Sequence, residues 1–253
     1  DIPNCLMLAA MRRRRRPSPL LCALLLCLPC AGSSKRHSWH EALRRRKKHN
    51  QGATHEHRFS VVVDAGSTGC RVYAYEVTAS GDVSTTRGPK VSPGLSSLLT
   101  ASFEEVNDYL TPLVDFARDA VPEAAWADTS FKILATAGMR LLRDDDAGRL
   151  YERAYAAVKH HGLRVRRSEV RTISGEDEAY YAALAVNYAL GLADASKRRA
   201  PQEFATEGSS SLAPLTGALD LGGASTQIAL PLEKTTTSAL VSASDFRVRS
   251  YLG

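Results

Sequence analysis

The sequence predicts an α/β fold that begins near residue 58. Two observations carry this. Short β-rich apolar runs alternate with helical stretches from Phe59 onward, and a strand, Asp, Gly, Ser/Thr, strand pattern occurs twice, at Asp64–Thr68 and at Asp220–Thr226. The chain has 253 residues, 44% hydrophobic and 24% charged, enough for one large α/β domain or two small ones. Collagen-like and wholly disordered chains are excluded.

The first 57 residues have a different character. They hold 12 of the 33 Lys and Arg but only Asp1, Glu41 and Glu56 of the 27 acids, which leaves 21 basic against 24 acidic side chains in the rest. The folded part is therefore mildly acidic, and the net charge of +6 is no sign of a nucleic-acid surface. Arg12 to Arg16, the apolar run Leu20 to Cys30 and the small residues Ala31 to Ser34 have the layout of a secretory signal peptide. Residues 1–32 are read as this leader, with translation expected to start at Met11. The run is about half of the roughly 20 residues that a spanning helix needs, which favours a cleaved leader over a short Golgi-type signal anchor. Either way the protein is expected in the secretory pathway, secreted or in the Golgi or ER lumen, with membrane contact only if the leader is kept.

Residues 33–57 read as a basic, histidine-rich stem, with Arg44 to Lys48 and His37, His40, His49, His55 and His57. A polybasic address and a metal-binding histidine tract are the alternatives. A solvated spacer is preferred because so few apolar residues cannot offset the cost of ordering the stretch. Cys5, Cys22, Cys27 and Cys30 all lie in the leader, so Cys70 is alone in the body, which needs no internal disulfide to fold.

The body's elements follow in order. Phe59 to Val63 reads as a strand buried on both faces, Asp64 to Gly69 as a turn, and Cys70 to Val77 as the returning strand of a hairpin. Ser80, Gly81 and Asp82 suggest the next turn. Ser102 with Glu105 three residues on is a capping-box signal for a helix carrying Phe103, Val106, Leu110 and Leu113, which Pro112 is expected to bend or restart. Phe131 to Leu134 reads as a strand, Ala147 to His161 as a helix, Val170 to Ile173 as a strand and Glu176 to Leu190 as a helix. Residues 194–216, rich in Ser, Ala, Pro and charge, read as a surface loop. Ala218 to Asp220, the turn Gly222 and Gly223, and Thr226 to Leu230 form a second hairpin.

Both hairpin tips have the chemistry of a phosphate cradle. Glycine-rich tips expose backbone N–H groups, the neighbouring hydroxyls add donors, and a carboxylate beside a phosphate commonly manages a hard cation. One such tip is a common turn, but two facing each other could hold a polyphosphate from both sides. Hydrolysis would also need a base. Glu176, Asp177 and Glu178 open the helix after Gly175, where acids are expected simply because they complement its dipole.

Four segments in order separate these readings: VDAGSTGCR at Val63–Arg71, ATAGMR at Ala135–Arg140, ISGEDEAYYAALAVNYALG at Ile173–Gly191 and ALDLGGASTQ at Ala218–Gln227. Together they resemble the signatures of the apyrase, or nucleoside triphosphate diphosphohydrolase, family. The resemblance implies an RNase H-like, two-lobed fold of the actin and sugar-kinase type with nucleotide between the lobes. Counting back nine residues from Asn187 of the NYxLG ending, it puts the general base on Glu178. It further implies that Ser67, Thr68, Gly69 and Thr136 on one side, and Gly222, Gly223 and Ala224 on the other, meet the phosphates. Asp64 and Asp220 would hold Ca²⁺ or Mg²⁺ through water, and Ser225 and Gln227 would position the nucleophilic water. The substrate would be a nucleoside di- or triphosphate.

The chain departs from the family pattern at Ala179 and Ala183, where Gly and Trp are usual, and at Cys70, where Ser is frequent. By resemblance the first lobe spans 58–217 and is nearly complete. Residues 218–253 open a second lobe, so the chain is expected to be part of a longer protein, hydrolysing nucleotide poorly by itself. Rival readings are a sugar kinase or chaperone-type ATPase, an exopolyphosphatase, and a non-catalytic secreted binding protein.

Overall fold

The computed structural model describes residues 57–79, 82–192, 215–232 and 243–252. The leader, nearly all of the stem and most of the expected 194–216 loop lie outside the described residues.

Five strands form the first sheet: β1 (Arg58–Gly66), β2 (Gly69–Val77), β3 (Val83–Val91), β4 (Ser130–Ala135) and β5 (Val165–Thr172), in the order β3-β2-β1-β4-β5. β1 pairs antiparallel with β2, and β2 with β3, whereas β1 pairs parallel with β4, and β4 with β5. Central strands covered on both faces read as unbroken apolar runs, and Val61, Val62 and Val63 are all buried.

Two long helices, α1 (Phe103–Ala120) and α3 (Asp144–His160), cover one face, with the one-turn helix α2 (Ala137–Arg140) between them in sequence. Leu110, Leu113 and Phe116 of α1 and Leu150, Ala154 and Val158 of α3 meet Val61, Val63, Val72, Phe131 and Ile133. Fully burying each of the larger side chains contributes about 2 kcal/mol. Cys70 joins this core as a buried free thiol.

The expected bend at Pro112 does not occur, and α1 runs unbroken through it. Proline removes one intrahelical bond and would press on the carbonyl of Asp108, but Asp108 and Pro112 are both exposed, where water can satisfy the freed group. The buried residues on either side, Leu110 and Leu113, hold both halves against the sheet.

Helix α4 (Gly175–Ala189) has no single apolar stripe, because it is covered on more than one side. Tyr181 packs with Val62, Tyr75, Leu134 and Ile173 on the other face of the first sheet. Ala179, Ala183 and Leu184 meet Ala229 and Phe246 of a second, antiparallel sheet. That sheet consists of β6 (Ala218–Leu221), β7 (Ser225–Pro231) and β8 (Phe246–Leu252), in the order β6-β7-β8. Its outer side leaves Leu219, Leu221, Leu230 and Tyr251 exposed.

β3 and β8 were not among the expected strands, and β5 begins five residues earlier than expected. β3 is an edge strand with polar residues and Pro89, tolerable only where an amide can go unpaired.

The capping box at the start of α1 is formed in both directions: Glu105 N–H donates to Ser102 Oγ at 3.2 Å, and Ser102 N–H donates to Glu105 Oε2 at 2.7 Å. Ser102→Ala is expected to lower stability by about 1 kcal/mol, read from the midpoint of denaturant unfolding at unchanged slope.

Candidate active site

The two hairpin tips meet. The first is Gly66, Ser67, Thr68 and Gly69, between β1 and β2, with Gly66 and Gly69 as the last cross-strand pair. The second runs from Gly222 to Ala224, closed by a bond from Gly222 N–H to the Ser225 carbonyl at 2.9 Å. A Cβ built on Gly223 would lie 2.8 Å from Ser67 Oγ and 2.9 Å from Thr68 Cγ2, so any side chain there would force those two side chains to move aside.

The first tip is fixed from behind. A Cβ on Gly94 would lie 2.3 Å from the Ser67 carbonyl oxygen, and one on Gly69 would lie 2.4 Å from that of Val91. Ser92 Oγ donates to the Thr68 carbonyl at 3.2 Å, and Lys90 Nζ donates to Thr68 Oγ1 at 3.1 Å. Thr136, at the end of β4, is buried and its N–H donates to the Ala65 carbonyl at 3.1 Å, which holds it beside the same tip.

Three carboxylates converge behind the tips. Asp64 ends the buried run of β1, Asp220 lies on β6 opposite Gln227, and Glu178 is buried in the first turn of α4. Burial pushes the Asp64 carboxyl up to about 7. Glu178 and Asp220 push it the same way, against the partial relief of Arg71 and Lys90. Burial also raises Glu178, and Asp220 adds to that, while the ion pair with Arg140 opposes it. Arg140 Nη2 donates to Glu178 Oε2.

On the second sheet Gln227 Nε2 donates to Ser225 Oγ at 2.7 Å and to Ser250 Oγ at 3.3 Å. Gln227 Oε1 is buried and has no hydrogen-bond partner among the described residues, an acceptor suited to one water molecule. Glu176 is exposed and Asp177 partly exposed, as expected of acids that serve the helix dipole.

The structure therefore brings together Asp64, Ser67, Thr68, Gly69, Thr136 and Glu178 on one side and Asp220, Gly222, Gly223, Ala224, Ser225 and Gln227 on the other. Among the described residues no three His, Cys, Asp or Glu side chains lie close enough to ligate a metal directly. Two desolvated carboxylates pressing on a third nevertheless fit a hard cation held through its own waters. Sequence reasoning gave no role to Arg140, Ser250 or Lys90. Arg140 closes the ATAGMR segment and was in view, but only the fold puts it on Glu178.

Residues 50–249 match the GDA1/CD39 (nucleoside phosphatase) family. The chain belongs to that family. Among its curated relatives, probable apyrase 6 of Arabidopsis thaliana is 34% identical over 178 residues, covering 68% of this chain and 29% of its own length. Ectonucleoside triphosphate diphosphohydrolase 4 of Homo sapiens is 33% identical, covering 72% and 33%, and nucleoside-triphosphatase ntp-1 of Caenorhabditis elegans is 32% identical, covering 84% and 37%. The chain spans about a third of the length of these curated relatives. A crystal structure of nucleoside triphosphate hydrolases from Neospora caninum superposes with a TM-score of 0.51 at 19% identity, over 83% of this chain and 47% of that one. The mixed α/β fold expected from the sequence is thus shared with that structure.

A carboxyl whose pKa rises from 3.8 unfolded to about 7 folded keeps a proton in the folded state that the unfolded chain has already lost between those values. Stability should therefore fall as pH rises through that window. In divalent-free buffer the thermal midpoint is expected to drop by several degrees between pH 5 and pH 8, and Asp64→Asn to flatten most of that slope.

Proposed function

We propose that this chain supplies the phosphate-holding tips and catalytic groups of a nucleoside phosphohydrolase that removes the terminal phosphate from nucleoside tri- or diphosphates. The observation that carries the reading is the close approach of Gly223 to Ser67 and Thr68, with Asp64, two residues before the first tip, within the field of both Glu178 and Asp220. Backbone N–H groups and hydroxyls from two directions suit a phosphate chain, and the family match favours a nucleotide as its source.

In this reading Ser67, Thr68 and Gly69 take phosphate oxygens from one side, with Thr136 beside them, and Gly222, Gly223 and Ala224 from the other. Gln227 Oε1 accepts one hydrogen of the attacking water, and the Ser225 hydroxyl completes its orientation. Glu178 Oε1 receives the other proton as the oxygen attacks phosphorus in line with the leaving phosphate. The ion pair with Arg140 opposes the rise that burial imposes on Glu178 and favours the carboxylate form that accepts a proton. Asp64 and Asp220 are the residues that would hold Ca²⁺ or Mg²⁺ through water, and that ion would neutralise charge on the phosphate oxygens. No covalent phosphoenzyme is required.

Relatives carry both diphosphatase and triphosphatase names: nucleoside-diphosphatase mig-23 of Caenorhabditis elegans is 34% identical over 71% of this chain. The proposal accordingly covers both substrates. A yeast relative is a Golgi apyrase, which together with the leader supports a place in the secretory pathway. Among the described residues no helix is long and apolar enough to cross a membrane.

In the full-length protein, Glu178→Gln is expected to lower kcat by at least about 1000-fold while nucleotide binding changes little, because the group acts on water and not on substrate. Glu176→Gln should turn over normally. The reverse pattern would move the base by two residues. Excess EDTA should abolish turnover and added Ca²⁺ or Mg²⁺ restore it, since a polyphosphate between Asp64 and Asp220 is repelled without a bridging cation. Undiminished turnover in EDTA would remove the cation from the reading.

A further inference from the structure

The base stands on helix α4 and the water-positioning pair on β7 of the second sheet, and one chain of polar contacts joins them. Arg140, the last residue of α2, pairs through Nη2 with Glu178 and donates through Nη1 to Ser250 Oγ at 3.4 Å. Gln227 Nε2 reaches the same Ser250 oxygen and also Ser225 Oγ. Ser250 sits directly across from Gln227 in the β7/β8 register, so the two side chains share a face of that sheet. Arg140 and Glu178 come instead from segments that follow β4 and β5 of the first sheet.

Local packing is shaped around this link. A Cβ on Gly175, the first residue of α4, would lie 1.9 Å from Ser250 Oγ and 2.8 Å from Arg140 Nη1, so the helix must open on a glycine for serine and guanidinium to meet. Arg140 leaves Nε buried without a partner among the described residues, a cost accepted while its two terminal nitrogens engage Glu178 on α4 and Ser250 on β8.

We propose that Ser250 and Arg140 are positioning residues that lock the Glu178 carboxylate to the Ser225 and Gln227 pair, so that the base and the water site are set as one unit when the two sheets come together. The inference rests on the reading of Glu178 as base. It adds that β8, through one hydroxyl, sets where that base points. Neither Ser250 nor Arg140 needs to touch the substrate.

The test uses the full-length protein with Ser250→Ala, Arg140→Gln, Arg140→Lys and the Ser250→Ala/Arg140→Gln double variant. Ser250→Ala is expected to lower kcat about tenfold with KM within twofold, the effect of one hydrogen bond of ordinary net worth. Arg140→Gln should lower kcat about 100-fold, as expected when a reacting group shifts by about 1 Å. Arg140→Lys, which keeps the charge, should recover part of that loss. The double variant should be no slower than Arg140→Gln, because both act through one carboxylate. A structural defect alone would instead raise KM and combine additively.

Thermal unfolding supplies a readout that does not depend on turnover. Arg140→Gln and Glu178→Gln should each lower the midpoint, and the two together should lower it by less than their sum. Ser250→Ala should likewise cost less in an Arg140→Gln background than alone. With an active wild type, kcat values for Ser250→Ala and Arg140→Gln within twofold of wild type, or fully additive effects, overturn the proposal. If Glu178→Gln proves as active as wild type, the base assignment falls. The unfolding cycle then decides alone, with sub-additive costs supporting the link and additive costs overturning it.

Discussion

Everything near the candidate site depends on how closely one helix can be approached from two directions. The helix Gly175–Ala189 carries buried alanines at 179, 182, 183 and 185, side chains that project little from its surface. The second sheet can therefore settle on it through Ala229 and Phe246 while Tyr181 packs against the first sheet. A larger residue at 179 or 183 would push the second sheet outward. Where related sequences usually have Gly and Trp, this chain has two alanines, and both are fully covered.

That approach carries an electrostatic cost that the site then uses. Bringing the sheets together gathers Asp64, Glu178 and Asp220 in a poorly solvated space, where burial and mutual repulsion raise the first two. Three cations temper the repulsion in different ways. Arg71 and Lys90 act on Asp64 through space, whereas Arg140 is bonded to Glu178. The result is a cluster of three acids in which only Glu178 is drawn into a direct ion pair with Arg140, while Asp64 is relieved through space.

Glycine has the converse role, because it removes matter where backbones must nearly touch. Gly94 and Gly69 brace the first tip from behind, Gly223 lets the second tip reach it, and Gly175 lets a serine from the second sheet reach an arginine at the end of the helix Ala137–Arg140. A side chain at any of these four positions would collide within 3 Å of a neighbour, so the fold of the site is set by absences of atoms as much as by their presence.

Much of this was legible in the order of the residues alone. The repeated Asp, Gly, Ser/Thr tips, the alternation of strands and helices, the capping box at Ser102 and the grouping of four family segments all depend on short-range pattern, which the sequence displays directly. Pro112 misled because its usual effect assumes a helix whose stability is local, whereas burial on both sides of it decided otherwise. The edge strand Val83–Val91 was hidden because an edge need not be apolar. The partners of Glu178 were out of reach for a further reason: Arg140 lies 38 residues before it and Ser250 lies 72 residues after it. Local pattern determined which loops could hold phosphate and which helix bore the acid. Only tertiary packing decided which side chains meet that acid, because contacts between distant segments follow from how sheets stack and not from spacing along the chain.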